Sequence, residues 1–396
     1  MLTAFLNGIL KEDVYMFQPP GFLKPGFEHL VCKLHKSLYG LKQSPRAWYA
    51  RLHAALLAWN LLQSHSDPNL YYAHIGNDTI ALLVYVDDIL LTGSNPQLLT
   101  QLKSHLHHNF KTKDLGPITR YLGVQFERTP HSLRMHQTKY ALSILHQFGM
   151  DTCKPSMTPL PKGLLLPKQS DSPLVDATLY RMLVGKLLFL TKTRPDISYV
   201  VSVVSRFMQS PQEIHLQAAK HILRYVRRYH DLGLSFRQGD ANCLRGFTDA
   251  DYVQDLDDRI SVSAYIFFLG NSPISWNSKK QSSTSRSSCE SEYRALAKCS
   301  CEAVWLRRLL AELRILDDNP TPIYCDNQSS IKLSYNPVFH EKSKHFEIDY
   351  HFTRQKVENS TLRVEYISSQ DQPADILTKS LGRLKFDNCR SKLYLC

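Results

Sequence analysis

The sequence predicts an α+β region at the amino end, a helical connection, and an α/β domain at the carboxyl end. Three observations support this division. Two apolar runs, residues 80–86 and 89–91, flank an acidic pair as two strands flank a turn. Five prolines crowd residues 151–178 and indicate an extended linker. Beyond residue 241, short strand-like runs alternate with helical patterns.

Composition points to a polyanionic partner. The 396 residues are enough for two or three domains, and 48 Lys and Arg stand against 36 Asp and Glu. The formal net charge of +12 favours nucleic acid over an acidic partner, although charge alone leaves a solvated basic surface open.

Cysteine usage and hydropathy suggest where the protein works. Nine scattered cysteines without a Cys-x-x-Cys pair predict reduced thiols rather than a disulfide framework or a zinc site. No apolar run reaches membrane-spanning length, and no signal peptide is predicted at the start. We therefore expect an intracellular protein, cytoplasmic or nuclear and not secreted, with no membrane partner.

The acidic pair Asp87 and Asp88 is the first candidate site. Adjacent carboxylates repel each other, so a tight turn between two core strands that holds them calls for a compensating charge. A divalent ion with hard oxygen ligands, Mg²⁺ or Mn²⁺, suits this position.

A second candidate precedes the hairpin. Lys42, Gln43 and Arg46 offer donors for phosphate and base contacts beside a helix that Pro45 begins. An amphipathic core helix with a polar entry turn explains the same residues. Its predicted apolar stripe consists of Trp48, Leu52, Leu56 and Leu57.

The middle of the chain is helical in pattern. Residues 97–110 and several segments within 179–236 have apolar positions at helical spacing. One of these segments carries a basic face that either meets a nucleic-acid duplex or is solvated surface. That face consists of Lys220, Arg224, Arg227 and Arg228.

The carboxyl-terminal region predicts a sheet with helices. Strands are expected at 244–248, 261–269, from 273, at 321–325 and at 363–367. A long helix is expected over 287–315, with Ser287 and Glu290 as a capping box, followed by a helix over 327–335. A final helix is expected to start at Gln372.

Four acids occupy comparable places in that predicted sheet. Each stands at a strand end or a helix start, where an α/β sheet gathers residues along one edge. Converging carboxylates there would bind two divalent ions about 4 Å apart. These acids are Asp249, Glu292, Asp326 and Asp375.

Several motifs of the first half resemble the reverse transcriptase of Ty1/copia-type retrotransposons. They are AFLNG at 4–8, GLKQSPRAWY at 40–49, YVDD at 85–88, DLG at 114–116 and YLG at 121–123. The resemblance implies an N-terminally truncated palm and thumb over residues 1–150, a linker over 151–178 and a connection over 179–240. It makes Asp87 and Asp88 catalytic, metal-binding residues, and the last motif a grip on the primer end.

Four blocks of the second half are similar to copia-type ribonuclease H. They are TDAD at 248–251, SEYRAL at 291–296, YCDNQ at 324–328 and ADILTK at 374–379. The resemblance implies an α/β ribonuclease H-like domain over 241–396 whose catalytic, metal-binding acids are the four named above. It suggests backbone contacts by Lys279, Lys280 and Arg286, and a role in product release for His345 or His351.

The resulting hypothesis is a truncated Pol polyprotein whose ribonuclease H domain cuts RNA in RNA–DNA hybrids with Mg²⁺ or Mn²⁺. The polymerase region is expected to be inactive, because the family's palm aspartate before the AFLNG motif has no counterpart in Met1 to Thr3. The alternatives are an inactive relic that only binds nucleic acid, and a reading frame that starts further upstream. Other retrotransposon proteins are candidate partners.

Overall fold

The computed structural model describes residues 3–239, 242–252, 255–316, 318–336 and 347–396. The chain forms two compact units. The first comprises Met1–Ile118 with Arg308–Ile315, and the second comprises Thr119–Arg307 with Leu316–Cys396. The predicted domain limits at residues 150, 178 and 240 stay predictions.

The first unit contains two antiparallel sheets and two helices. After a short 3-10 helix at Ala4–Asn7, strands β1 and β2 form a two-stranded sheet, and β3 to β6 form a four-stranded sheet in sequence order. The strands are β1 (Ile9–Phe17), β2 (Val31–Lys36), β3 (Leu62–Gln63), β4 (Leu70–Ile75), β5 (Asp78–Tyr85) and β6 (Asp88–Gly93). The helices are α1 (Ser44–Ala58) and α2 (Pro96–Asn109).

Both helices of the first unit cover the apolar face of the four-stranded sheet. Trp48, Leu52 and Leu56 of α1 are buried in one core with Ile80 and Leu82 of β5. Helix α2 begins where the Asn95 side chain accepts hydrogen bonds from two backbone amides, the N-cap that its sequence favours. The expected place of Leu57 in the stripe is wrong, because it lies at the helix edge and is 44% exposed.

The second unit opens with a small sheet and four helices. The sheet has the order β10-β9-β8-β7, so the strand after the helices pairs with β9. Its elements are β7 (Arg120–Tyr121), β8 (Val124–Arg128), β9 (Ser132–His136), α3 (Thr138–Gln147), α4 (Ala177–Leu190), α5 (Ser198–Ser205), α6 (Glu213–Arg228) and β10 (Gly233–Arg237), with a 3-10 turn at Pro195–Ile197.

A five-stranded mixed sheet follows, with the order β13-β12-β11-β14-β15. The first three strands in sequence are antiparallel, whereas β14 runs parallel to β11 and β15 parallel to β14. The strands are β11 (Leu244–Ala250), β12 (Val262–Leu269), β13 (Ser272–Lys280), β14 (Thr321–Cys325) and β15 (Leu362–Tyr366). The helices are α7 (Ser288–Glu312), α8 (Gln328–Tyr335), α9 (Glu347–Glu358) and α10 (Arg383–Ser391).

The strands and the long helix of this domain agree with the sequence prediction to within a few residues. The capping interaction of α7 includes a bond from the Glu290 amide to the Ser287 hydroxyl, while the Glu290 carboxylate accepts from the Arg286 amide. The final helix expected from Gln372 starts where it was predicted but is only a short 3-10 helix over Pro373–Leu377, and a separate helix, α10, begins at Arg383.

One buried ion pair joins the helices of the second unit. Arg194 and Asp196 are each 1% exposed and form two hydrogen bonds of 2.8 and 2.7 Å. The Tyr225 hydroxyl of α6 donates to the same carboxylate at 2.7 Å. The charges are thus satisfied inside the core, as buried ions require.

The nine cysteines carry no disulfide in the structure. Among the described residues, no helix combines the length and the apolar character that crossing a membrane demands.

Candidate active site

The central strands of the five-stranded sheet bring two of the predicted acids together. Gly246 and Phe247 of β11 pair in parallel register with Ile323 and Tyr324 of β14. Continuing that register by two residues sets Asp249 level with Asp326, at the end where both strands finish. Residues in register on neighbouring strands project from the same face.

The other two acids reach this edge from the elements packed beside it. Glu292, in the first turns of α7, accepts a hydrogen bond of 3.1 Å from the backbone amide of Ala250. Asp375 lies in the 3-10 turn, which Gln372 ties to β11 through a 3.0 Å bond from its side-chain amide to the carbonyl of Thr248. Side chains from four distant stretches therefore meet at one edge.

Within the described part of the chain, one group of three side chains has the spacing of a metal site. The ligand atoms of Glu292, Cys325 and Asp326 all lie within 4.8 Å of one another. Ser369 donates to Asp326 at 2.6 Å and orients this carboxylate. The two carboxylates offer hard oxygen ligands that suit Mg²⁺ or Mn²⁺, and both acids were predicted from the sequence.

Cys325 is a member of this group that the sequence analysis missed. It is the last residue of β14 and directly precedes Asp326, which was the available signal. The side chain is fully buried, and burial raises the pKa of its thiol well above the ordinary value. A neutral thiol is a poor ligand for a hard cation.

Asp249 and Asp375 face a lysine instead. The Lys379 ammonium lies 3.1 and 3.3 Å from the two carboxylate oxygens of Asp249 and 2.7 Å from Asp375 Oδ1. Thr378 donates a hydrogen bond to Asp249, and Lys385 forms a second ion pair with Asp375. Lys379 stands four residues after Asp375, and this spacing is the sequence signal for their ion pair.

The electrostatics of the four acids differ with their partners. Burial raises the pKa of Asp249 to about 6, and the neighbouring carboxylates of Asp375 and Asp326 add to the effect. Burial, with repulsion from Asp249 and Asp326, raises the pKa of Glu292 well above its usual range. Burial also acts on Asp375, but the ion pairs with Lys379 and Lys385 hold its pKa below the usual value.

A further carboxyl lies close to this group. Asp251, 2% exposed, accepts a hydrogen bond from the backbone amide of Val262, and burial raises its pKa to about 7. It belongs to the TDAD block but was not among the predicted ligands.

The acidic pair of the first unit has a different setting. Tyr85 pairs with Asp88, so Val86 and Asp87 form a two-residue turn in which Val86 adopts a φ of 57°. The indole of Trp48 donates to the Val86 carbonyl at 2.8 Å and holds the turn. Asp87 is partly buried and Asp88 is exposed. Among the described residues, no third metal-ligating side chain joins this pair in a group of three.

The predicted nucleic-acid contacts near α1 lie at its start. Lys42 and Arg46 are exposed and Gln43 is partly buried. Arg46 forms an ion pair of 2.9 Å with Glu12 of β1. This pair is solvent-exposed, and such pairs contribute little stability.

The predicted contacts of the second unit separate into two kinds. Lys279 and Arg286 are exposed, whereas Lys280 forms ion pairs of 2.6 and 2.7 Å with Asp255 and Asp258. Lys298 of α7 was not predicted. Burial lowers its pKa, Lys279 and Arg294 lower it further, and Asp349 raises it. Arg294 is itself paired with Glu290 at 2.8 Å.

Of the two candidate histidines, His345 lies outside the described residues. His351 is exposed on α9.

Comparison with known proteins identifies the family. The family model "Reverse transcriptase (RNA-dependent DNA polymerase)" matches residues 1–162. The Retrovirus-related Pol polyprotein from transposon RE1 of Arabidopsis thaliana is 46% identical over 99% of this chain. The chain spans 27% of that relative's length. A ribonuclease H1 isolated from compost aligns with 35% of this chain and 93% of its own length at 15% identity, but a TM-score of 0.28 does not establish a common fold.

A shorter relative is matched over nearly its whole length. A transposon Ty5-1 protein of Saccharomyces cerevisiae is 32% identical over 70% of this chain and 91% of its own. Together with the motifs of both halves, these similarities show that the chain belongs to the Ty1/copia-type retrotransposon Pol polyproteins.

Proposed function

We propose that the carboxyl-terminal α/β domain is a ribonuclease H-like domain that hydrolyses the RNA strand of RNA–DNA hybrids with Mg²⁺ or Mn²⁺. The observation that carries this proposal is the convergence of Asp249, Glu292 and Asp326 on one sheet edge. Three acids repel one another in a buried place, and such an arrangement persists when a cation offsets the cost.

Glu292 and Asp326 are the residues that would hold the cation. Their oxygens converge, and each is oriented by a hydrogen bond, from the Ala250 amide in one case and the Ser369 hydroxyl in the other. Such partners fix the direction of a ligand before the metal binds. A bound divalent ion would act as a Lewis acid for the attack of water on the phosphodiester.

The protein itself contributes orientation and charge. Asp249 is held by Thr378 and Lys379, and its carboxylate adds negative charge next to Asp326. Asp249 and Glu292 are buried, which strengthens each electrostatic contact that they make.

The exposed cations Lys279 and Arg286 and the net charge of +12 support a nucleic-acid substrate. Exposed cations bind phosphates without reading sequence, so selection of a hybrid would depend on duplex shape and on the 2′-hydroxyl. RNA–DNA hybrid is therefore the proposed partner, and an intracellular location, cytoplasmic or nuclear, goes with it.

The decisive experiment is hybrid cleavage by the full chain of 396 residues. A labelled RNA strand, annealed to DNA, should be cut with Mg²⁺ or Mn²⁺ and remain intact with chelator. Asp249→Asn should abolish cleavage, while Asp171→Asn, at an exposed acid, should retain it. Full cleavage by Asp249→Asn would contradict the proposal. Salt-dependent binding of hybrid without any cleavage would favour the alternative, a basic nucleic-acid binder.

For the amino-terminal unit, we propose that residues 1–396 alone do not polymerise DNA. Nucleotidyl transfer uses carboxylates from separate elements to hold two ions, and among the described residues the hairpin acids gain no third ligand. Extension of a labelled primer on an RNA template by this polypeptide would overturn this proposal. The hybrid-cleavage assay provides the control that the preparation is folded.

A further inference from the structure

We propose that Lys379 supplies one of the positive charges of the acid cluster, so that the cluster takes a single divalent cation, between Glu292 and Asp326. The inference rests on the proposed function for the presence of a metal site. It concerns how many ions the site holds and which side chain decides that number.

The first argument is the position of the lysine. Its ammonium lies between two carboxylates from different elements, within 3.3 Å of three of their oxygens. An ammonium has three N–H donors, and three carboxylate oxygens at these distances can satisfy all of them. A cation that bridged Asp249 and Asp375 would need the same oxygens, so it would have to expel the lysine.

The second argument is the separation of the acids into two pairs. Asp249 and Asp375 share Lys379, whereas Glu292 and Asp326 belong to the group with metal-site spacing that the described residues contain. Lys385 adds a second positive charge at Asp375. A divalent ion placed beside that acid would therefore meet two ammonium groups.

The third argument is the charge balance. The four predicted acids carry four negative charges, and Lys379 with Lys385 supplies two positive ones. The nearby Asp251 carboxyl adds at most one more negative charge, which a second divalent ion would still exceed. One divalent ion neutralises the remaining pair, Glu292 and Asp326. A second ion would leave the buried cluster with excess positive charge, which is costly away from water.

The fourth argument is burial. Asp249 is 0% and Asp375 is 1% exposed, yet the lysine side chain keeps 30% of its surface in solvent. A long side chain that reaches from the surface to a buried acid pair can hold the charge there while its stem packs against apolar groups. The lysine is thus a positioning residue for Asp249 and Asp375.

The test counts bound ions. Mn²⁺ is titrated into the full chain, and unbound Mn²⁺ is measured by electron paramagnetic resonance, with the variant Asp87→Asn/Asp88→Asn as the common background. We expect one ion per chain that Asp326→Asn removes. Lys379→Met keeps the stem of the side chain and removes its charge. This variant should bind a second ion at least about tenfold more tightly than the parent does.

Two further variants serve as controls. Lys392→Met removes a lysine of the same region that pairs with the exposed Asp371, and it should keep one ion. Lys379→Arg keeps the charge and should also keep one ion. Circular dichroism checks that each variant is folded.

The outcomes separate the two proposals. Two ions in the parent cluster, or one ion in folded Lys379→Met, would overturn this inference while leaving the metal site intact. If Lys379→Met does not fold, the ion count of the parent and of Lys379→Arg decides. An ion count that Asp326→Asn leaves unchanged would instead contradict the proposed function.

Discussion

Two acidic sites in this chain contrast in how their carboxylates come together. Asp87 and Asp88 are neighbours in sequence, at the tip of a hairpin. Asp249 and Asp326 are far apart in sequence, but adjacent parallel strands bring them level. Successive residues of a strand project to opposite faces, whereas residues in register on adjacent strands project to the same face. Adjacency in the sequence is therefore a weaker sign of a shared ion than register in a sheet.

The two sites also differ in what surrounds the charges. Asp88 at the hairpin is exposed to water, while Asp249 and Glu292 are buried. Burial raises the pKa values of Asp249 and Glu292, so keeping them charged reduces stability. Such a cluster reduces stability unless a positive charge offsets the burial of its carboxylates.

The largest effect is expected for Glu292→Gln. The change keeps the shape of the side chain and its bond to the Ala250 amide, but it removes one of the two carboxylates that would hold the ion. Hybrid cleavage should fall on the order of a thousandfold. The measurement is the initial rate on a labelled RNA–DNA hybrid at saturating Mg²⁺.

Two observations would contradict the role proposed for Glu292. One is a Glu292→Gln rate within a few-fold of the parent. The other is a comparable loss in Glu213→Gln, a matched substitution at the start of α6, where no acid cluster is involved.

The second effect concerns Asp196, a buried acid outside the candidate site whose partner is the buried Arg194. Asp196→Ala leaves Arg194 buried without its carboxylate and removes the acceptor of the Tyr225 hydroxyl. The free energy of unfolding should fall by about 3–5 kcal/mol. Urea denaturation followed by fluorescence measures it, and Asp171→Ala, at an exposed acid, should change it by less than about 0.5 kcal/mol.

A loss of this size would show that one buried acid stabilises the fold, in contrast to the buried acids of the candidate site. An Asp196→Ala protein as stable as the parent would mean that the core repacks around Arg194. Burial alone would then be no guide to which acids serve function.

Most elements of the five-stranded sheet and its long helix could be predicted from the sequence, but only part of the candidate site could. Alternating apolar residues and turn signals predicted β11 to β15 and α7 because each strand buries a face whose pattern is local. The order of the strands, and hence the meeting of Asp249 with Asp326, depends on pairings between distant segments that no local pattern records.

The site residues that the sequence did not predict also depend on contacts between distant segments. Lys379 pairs with Asp249 only because a 3-10 turn, which was predicted as a helix, brings the lysine back to β11. Cys325 could not be predicted as part of the site, because a thiol next to an acid in the sequence indicates no metal site. The group is complete only when the fold brings Glu292 of α7 beside them. At the hairpin, the sequence correctly predicted the two strands, but it placed both aspartates on the turn, whereas Val86 and Asp87 form the turn and Asp88 begins β6.

The third effect is on stability and depends on pH. The pKa of Asp249 is about 6 in the folded protein against an ordinary value of 3.8, so between these pH values the folded state binds more protons than the unfolded state. Stability contributed by this group is therefore lost as the pH rises through that window. Asparagine cannot ionise, so Asp249→Asn should be more stable than the parent at pH 8, by about 2–3 kcal/mol.

This prediction requires metal-free protein, because a bound cation would favour the ionised carboxylate. Urea denaturation with chelator at pH 4 and pH 8 measures it, and the difference between variant and parent should shrink towards zero at pH 4. A variant less stable than the parent at pH 8 would mean that the ion pair with Lys379 outweighs the cost of burial.

The smallest effect is expected at the hairpin. Asp88 is exposed at the start of β6, so Asp88→Asn removes a hydrated charge and leaves the backbone pairing with Tyr85 in place. The free energy of unfolding should change by less than about 0.5 kcal/mol. Hybrid cleavage should stay within about twofold of the parent, since the carboxylates proposed to act in cleavage lie on β11, α7 and the residue after β14. The same cleavage and urea assays measure both quantities. A tenfold loss of hybrid cleavage in this variant would show that the hairpin acid acts in the nuclease reaction, and the contrast between the two acidic sites would then fail.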